Sequence, residues 1–149
     1  MYEIPKIPVA VVLNLTNDES IPGTVWVTED RISAGGNPLV EEFLNDDEDL
    51  FFSFQSDAGA FRLINKNHIT YIETDQTDAE AKSQTPHAPH SMVAHFTNEQ
   101  TLFGVIYPTL AEETRVSDLL NQKEQFLVLY RQAAKIVFNR HNVVYANAN

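Results

Sequence analysis

The sequence predicts a mainly β protein, a tandem repeat of two small five-stranded barrels, each with a short helix inserted between its second and third strands. Three observations carry this expectation. The stretch at residues 11–27, VVLNLTNDESIPGTVWV, is written again at residues 92–108, MVAHFTNEQTLFGVIYP, so that Thr16-Asn17 falls on Thr97-Asn98, Gly23 on Gly104 and Val25-Trp26 on Ile106-Tyr107. Within each copy, apolar residues recur with a period of two, as when one face of a strand packs on a core. Between the copies the chain turns polar and aperiodic, with Pro86 and Pro89 inside it, which is linker composition. The expected organisation is a first unit at 1–73, a linker at 74–91 and a second unit at 92–149.

Residues 1–8 hold two prolines and no period, and read as an N-terminal arm. Val9, Val11, Leu13 and Leu15 alternate with Ala10, Val12 and Asn14 as a first strand. The polar cluster at 16–20 is a turn, and Ile21, Gly23, Val25 and Val27 resume the alternation as a second strand. Glycine inside that strand predicts a bulge or sharp bend. After the flexible Ser33-Ala34-Gly35-Gly36, Asn37 and Pro38 suit the cap and first position of a short helix with Leu39, Val40, Phe43 and Leu44 on its apolar side. Leu119-Leu120-Asn121 matches Phe43-Leu44-Asn45 in the second copy. The third strand, with Leu50, Phe52 and Phe54, is expected to be mirrored by Phe126, Val128 and Tyr130. The fourth and fifth strands, 61–64 and 69–72, flank the turn Asn65-Lys66-Asn67-His68, and their copies, 135–138 and 143–145, flank Asn139-Arg140-His141-Asn142.

Composition narrows the function classes. Units of about 60–70 residues sit near the lower limit for an independent core, so two that lean on one another are expected. The 149 residues include no cysteine, which removes disulfides and thiolate metal sites and fits a reducing cytoplasm. No basic and apolar leader and no run of eighteen apolar residues is present, so a soluble, cytoplasmic protein is expected. The net charge of −11 is uneven, with 14 acidic against 4 basic side chains in residues 1–75 and 7 against 6 in the remainder. The acidic first unit would repel a phosphate backbone, whereas nucleic-acid binders carry a basic stripe.

The turn at 65–68 leading into Ile69-Thr70-Tyr71-Ile72 resembles the second signature of the Sm and Sm-like proteins, in which a basic-glycine-polar turn joins the last two strands of a bent SH3-like barrel. The glycine-bearing second strands fit the same fold. The resemblance implies an Sm-like barrel pair and, as an alternative function, RNA binding, with Lys66 and Arg140 on phosphates and Tyr71 and Tyr145 stacking on bases. The chain departs from that family where function lies: the RNA-binding loop after the second strand is replaced by the helical insert, and Asn67 or His141 stands for the turn glycine. The phrase Arg115-Val116-Ser117-Asp118-Leu119-Leu120-Asn121 is also similar to a bacterial family of small uncharacterised domains, which brings no activity with it.

Candidate chemistry is sparse. His87-Ala88-Pro89-His90 offers two imidazoles, short of the three or four convergent ligands zinc takes. His95 reads as a half-exposed strand residue, and His68 and His141 occupy different turn positions. The acidic turn Asp46-Asp47-Glu48-Asp49 lacks the alternating ligands and glycine of a calcium loop. There is no nucleophile elbow, phosphate cradle or HExxH arrangement, so neither a catalytic residue nor a cofactor is assigned. The sharper signal is apolarity on outward faces: Phe103, Val105 and Tyr107 stand where the first copy has Pro22, Thr24 and Trp26, and Leu127 and Leu129 are expected opposite the inward Phe126 and Val128. Such residues predict a covered surface, by the other unit, a second copy or an unknown protein partner, with Trp26 as an anchor. The expected function is a non-enzymatic protein-interaction or adaptor module, dimeric or larger; RNA binding and a small-ligand sensor are the alternatives.

Overall fold

A computed structural model describes residues 4–46, 48–109, 112 and 115–148. The start of the N-terminal arm, Asp47 of the acidic turn, Thr114 and Asn149 lie outside the described residues. The chain is mainly β, with ten strands among the described residues: β1 (Lys6–Leu15), β2 (Ser20–Thr28), β3 (Phe51–Ser56), β4 (Phe61–Asn65), β5 (Ile69–Asp75), β6 (His90–Phe96), β7 (Thr101–Ile106), β8 (Phe126–Arg131), β9 (Ala134–Asn139) and β10 (Val143–Ala148). Three short helices accompany them: α1 (Val40–Leu44), α2 (Ala79–Gln84) and α3 (Val116–Leu120).

All ten strands belong to one open antiparallel sheet, ordered β10-β6-β7-β8-β9-β5-β1-β2-β3-β4, where two separate barrels were expected. The reason lies in the middle of that order. Each half pairs its own strands in the same sequence, but β5 of the first half takes β9 of the second as its neighbour, with Ile72 opposite Val137 and Tyr71 opposite Phe138. The strand edge that could have closed the first half on itself joins the two halves instead. β4 and β10 remain as the outer edges.

Several local features recur in the two halves. Asn14 pairs with Tyr71 as His95 pairs with Tyr145, and both β1–β5 and β6–β10 break register there. The hairpin turns carry the same left-handed residue, Asp18 and Glu99, each at φ 70°, and Asn17 and Asn98 accept the amide two residues on. That local bond gives the recurring Asn a role in the turn. Each β4–β5 type turn is 3₁₀, capped by Asn65 or Asn139, and its carbonyl at His68 or Asn142 takes the amide of Thr16 or Thr97 at 2.9 Å.

Three sequence expectations change. The first is the facing of β8. Phe52 pairs with Ile64, and Leu127 with Phe138, so Phe52 corresponds to Leu127, one residue away from the expected mirror. Leu127 and Leu129 therefore point into the second half's own core with Met92, Leu102 and Leu119, while Phe126 enters the core of the first half. A one-residue slip turns every side chain of a strand over. The second is Gly23, where β1–β2 pairing continues without a shift; glycine is needed because β3 comes so close that a Cβ would lie 2.4 Å from the Gln55 carbonyl oxygen. The third is the linker, which contains α2. Its Glu80 carboxylate accepts from Asn37 Nδ2 at 2.6 Å and Ser33 Oγ at 2.8 Å, so the segment is held down by bonds that its composition alone does not announce.

Candidate functional site

Residues opposite one another across an antiparallel pair share a face. Ser53 stands opposite Leu63, Gln55 opposite Phe61 and Phe51 opposite Asn65, which sets Phe51, Phe61 and Leu63 together on the outer face of β3 and β4. Phe61 and Leu63 are 70% and 71% exposed and Phe51 49%. Half-buried Trp26 on β2 stacks on Phe61, with ring centroids 6.3 Å apart and planes 16° from parallel. A groove of about 480 Å³ runs here, lined by Trp26, Phe43, Phe51 and Phe61 with Arg31 and Asp46. Arg31 pairs with Asp46 at 2.5 Å; the Glu48 amide, then Arg31, hold the Asp46 carboxyl below its ordinary value. Large apolar side chains contiguous at a sheet edge mark an interaction surface.

The same positions in the second half are covered. By the pairing register, Phe51, Phe61 and Leu63 correspond to Phe126, Lys135 and Val137. These are 1%, 1% and 0% exposed. The first half supplies the cover. Asn45 holds the Phe126 backbone at both ends, accepting from its amide at 2.8 Å and donating to its carbonyl at 2.9 Å. Lys135 Nζ donates to Glu41 Oε1 at 2.7 Å.

A cavity of about 500 Å³ remains at this junction, lined among others by Glu41, Glu80, Tyr107, Val128, Tyr130 and Lys135. Tyr107 and Tyr130 meet edge to face, with ring centroids 5.9 Å apart, and Tyr107 donates to Asp78 Oδ2 at 2.5 Å. Desolvation is the main reason that both hydroxyls are pushed up to about 12; the hydrogen bond to Asp78 adds to it for Tyr107, and the charge of Glu41 for Tyr130. The cavity thus combines an aromatic wall with one buried, paired ammonium.

Two expected outcomes follow from the junction. A tyrosine held neutral in the fold keeps its proton after the unfolded chain has lost its own, so the unfolded state binds fewer protons between pH 10 and 12 and stability falls as pH rises through that window. For buried Tyr130 this amounts to about 2–3 kcal/mol, and Tyr130→Phe should flatten the fall when urea midpoints are compared across the window. Equal slopes in the two proteins would refute it. Glu41→Ala, which leaves the Lys135 ammonium buried without its carboxylate, should cost about 2–3 kcal/mol in denaturant melts, because one partner is fully buried and the other only partly. Glu41→Ala combined with Lys135→Met should recover most of it.

Of the residues expected at an interface, Trp26 is in the groove, and Val105 and Tyr107 are partly buried. Phe103 is exposed, with the Arg131 guanidinium 6.0 Å from its ring centre. Leu127 and Leu129 are core residues, so the outward facing expected for them is corrected. Of the residues expected to contact RNA, Lys66 is buried and donates to the Asp46 carbonyl at 2.7 Å, and Arg140 donates to the Glu124 carbonyl. Tyr71 packs against the second core, and Tyr145 stacks on His95 at 4.2 Å. Among the described residues, no three His, Asp or Glu side chains converge as a metal site.

Sequence reasoning missed Phe51, Phe61 and Leu63. The signal was the alternation of Phe61 and Leu63 in a strand whose copy, Lys135-Ile136-Val137-Phe138, is mostly apolar on both faces; that contrast marks which half is covered. No helix among the described residues is long and apolar enough to cross a membrane. Searches found no matching family model, no matching curated protein and no matching solved structure.

Proposed function

We propose that the protein is a non-enzymatic interaction or adaptor module, descended from a duplicated Sm-like barrel whose two copies have merged edge to edge, and that its working surface is the β3–β4 end of the first half. One observation carries the reading: Phe51, Phe61 and Leu63 are exposed on β3 and the edge strand β4, while their counterparts Phe126, Lys135 and Val137 are buried by a neighbouring strand and helix. An edge strand with an apolar flank suits a partner that adds a strand of its own, the backbone giving affinity and the aromatic groove specificity. A photo-crosslinking amino acid at position 61 should trap a polypeptide in the native cell, whereas the same group in the exposed turn at Gln132 should not. Equal, background labelling at both positions would end the proposal.

A second reading, a small-ligand sensor, is favoured by the junction cavity with its buried Lys135. Filling it by Val128→Trp should abolish any ligand-dependent rise in melting temperature. RNA binding draws no support from Lys66 and Arg140, whose head groups are taken up by backbone carbonyls.

A further inference from the structure

We infer that the cavity at the junction of the two halves binds a small organic cation, a protonated primary amine carried on a short apolar body. The inference rests on this cavity being a ligand site, and adds the chemical class that fits it.

The cavity exists because the halves share one sheet. Its floor is the face of β7–β9 turned away from the second half's own core, where Tyr130 stands opposite Val105 on one side and Lys135 on the other. Its roof is α1, through Glu41, and the linker helix α2, through Glu80 and Ala81. At about 500 Å³ it falls within the size range of small-molecule sites. Ile106, Leu119 and Leu127 line it as well, and give the carbon body of a ligand an apolar bed.

One polar group on the wall is unanswered. Tyr130 is 8% exposed, and among the described residues its hydroxyl has no hydrogen-bond partner. A tyrosine hydroxyl at this depth is ordinarily paired, as that of its edge-to-face neighbour Tyr107 is to Asp78. The free oxygen can accept a hydrogen bond from an N–H, and the two rings supply electron-rich faces that attract an ammonium.

Charge selects the cation. The lining holds four carboxylates, Glu41, Glu42, Glu80 and Glu124, against the single ammonium of Lys135, a balance of −3. The Lys135 charge is already met, because its Nζ donates to Glu41 Oε1 at 2.7 Å. Glu80 stays ionised, since hydrogen bonds from Asn37 and then Ser33 hold its carboxyl below the ordinary value. After burial, the charges that push the Tyr130 hydroxyl up to about 12 are those of Glu41, Glu80 and Asp78, so the potential at the free oxygen is negative. An entering cation is attracted by all three, and an anion is repelled. Among the described residues no three His, Asp or Glu side chains converge, which suits an organic ammonium and not a metal ion that needs several oxygen ligands at once.

Titration calorimetry of the full chain tests this with three sets of probes. Phenethylammonium and the alkylammonium ions from butyl to octyl should bind. The matched alcohols, which lack the charge, and the matched carboxylates, which reverse it, should bind about tenfold more weakly or not at all. Tyr130→Phe keeps the ring and removes the oxygen. It should weaken phenethylammonium about tenfold and leave benzyltrimethylammonium, which has no N–H to donate, unchanged. Val128→Trp, which fills the cavity, should abolish binding of both, with thermal melts reporting that each variant is folded. Alcohols or carboxylates that bind as well as the amines overturn the cation and leave the cavity a ligand site. Equal weakening of both ammonium ions by Tyr130→Phe overturns the assignment to a primary amine. No binding by any probe, which leaves the hydroxyl to water, overturns the cation and the ligand site together.

Discussion

Phe126→Ala is expected to cost about 3–5 kcal/mol of stability, the range for emptying a buried aromatic site. The side chain is 1% exposed, and it leaves a cavity in a core to which its own strand does not belong. Phe126 sits on β8 in the second half, yet packs with Leu44, Phe52 and Phe54 of the first. The cavity cannot readily collapse, because Asn45 clamps the backbone on both sides of the missing ring. Phe51, the counterpart in the first half, provides the control: it is half exposed, and at low protein concentration Phe51→Ala should cost less than about 1 kcal/mol. Urea melts of the two variants decide the matter. Similar losses would mean that the seam between the halves is not packed as described.

Gly23→Ala is expected to cost about 2–4 kcal/mol although it adds a single methyl group. The new Cβ would stand 2.4 Å from the Gln55 carbonyl oxygen and 2.4 Å from Phe54 Cζ. The ring could rotate away at modest cost, but the carbonyl belongs to the strand that β2 pairs with through Gly23↔Ser56 and Thr24↔Gln55. Relief therefore requires the strands to part where their pairing is only two residues long. Gly104→Ala meets the Tyr130 carbonyl oxygen at 2.5 Å and should behave alike. Thermal midpoints within a degree or two of the parent would show that the close approach is not a constraint.

Much of the β architecture could be read from residue order. The period-two runs located nearly every strand, and the repeated Thr-Asn and glycine positions aligned the first two strands of each half correctly. The third strand was misread for a countable reason: five residues separate Asn45 from Phe51, but four separate Asn121 from Phe126. An alignment anchored on the helices is then one residue out at β8, and in a strand one residue is a change of face. That error put Leu127 and Leu129 outside and hid Phe126 as the plug. The β5–β9 pairing could not be read at all, because which edge meets which is decided by residues far apart in the chain, as Tyr71 is from Phe138. The apolar end of β3–β4 was equally hidden, since exposure is a property of what a neighbour fails to cover.

The β5–β9 pairing also bears on how the molecule comes apart. A core in residues 6–75 that is completed by Phe126 and Val137 has no separate melting transition to offer, so the polar stretch between the halves marks a boundary in the text of the chain and not in its thermodynamics. Calorimetry should accordingly return a van't Hoff enthalpy equal to the measured heat of unfolding for the whole chain, and cleavage near Pro86 should leave two fragments that travel as one.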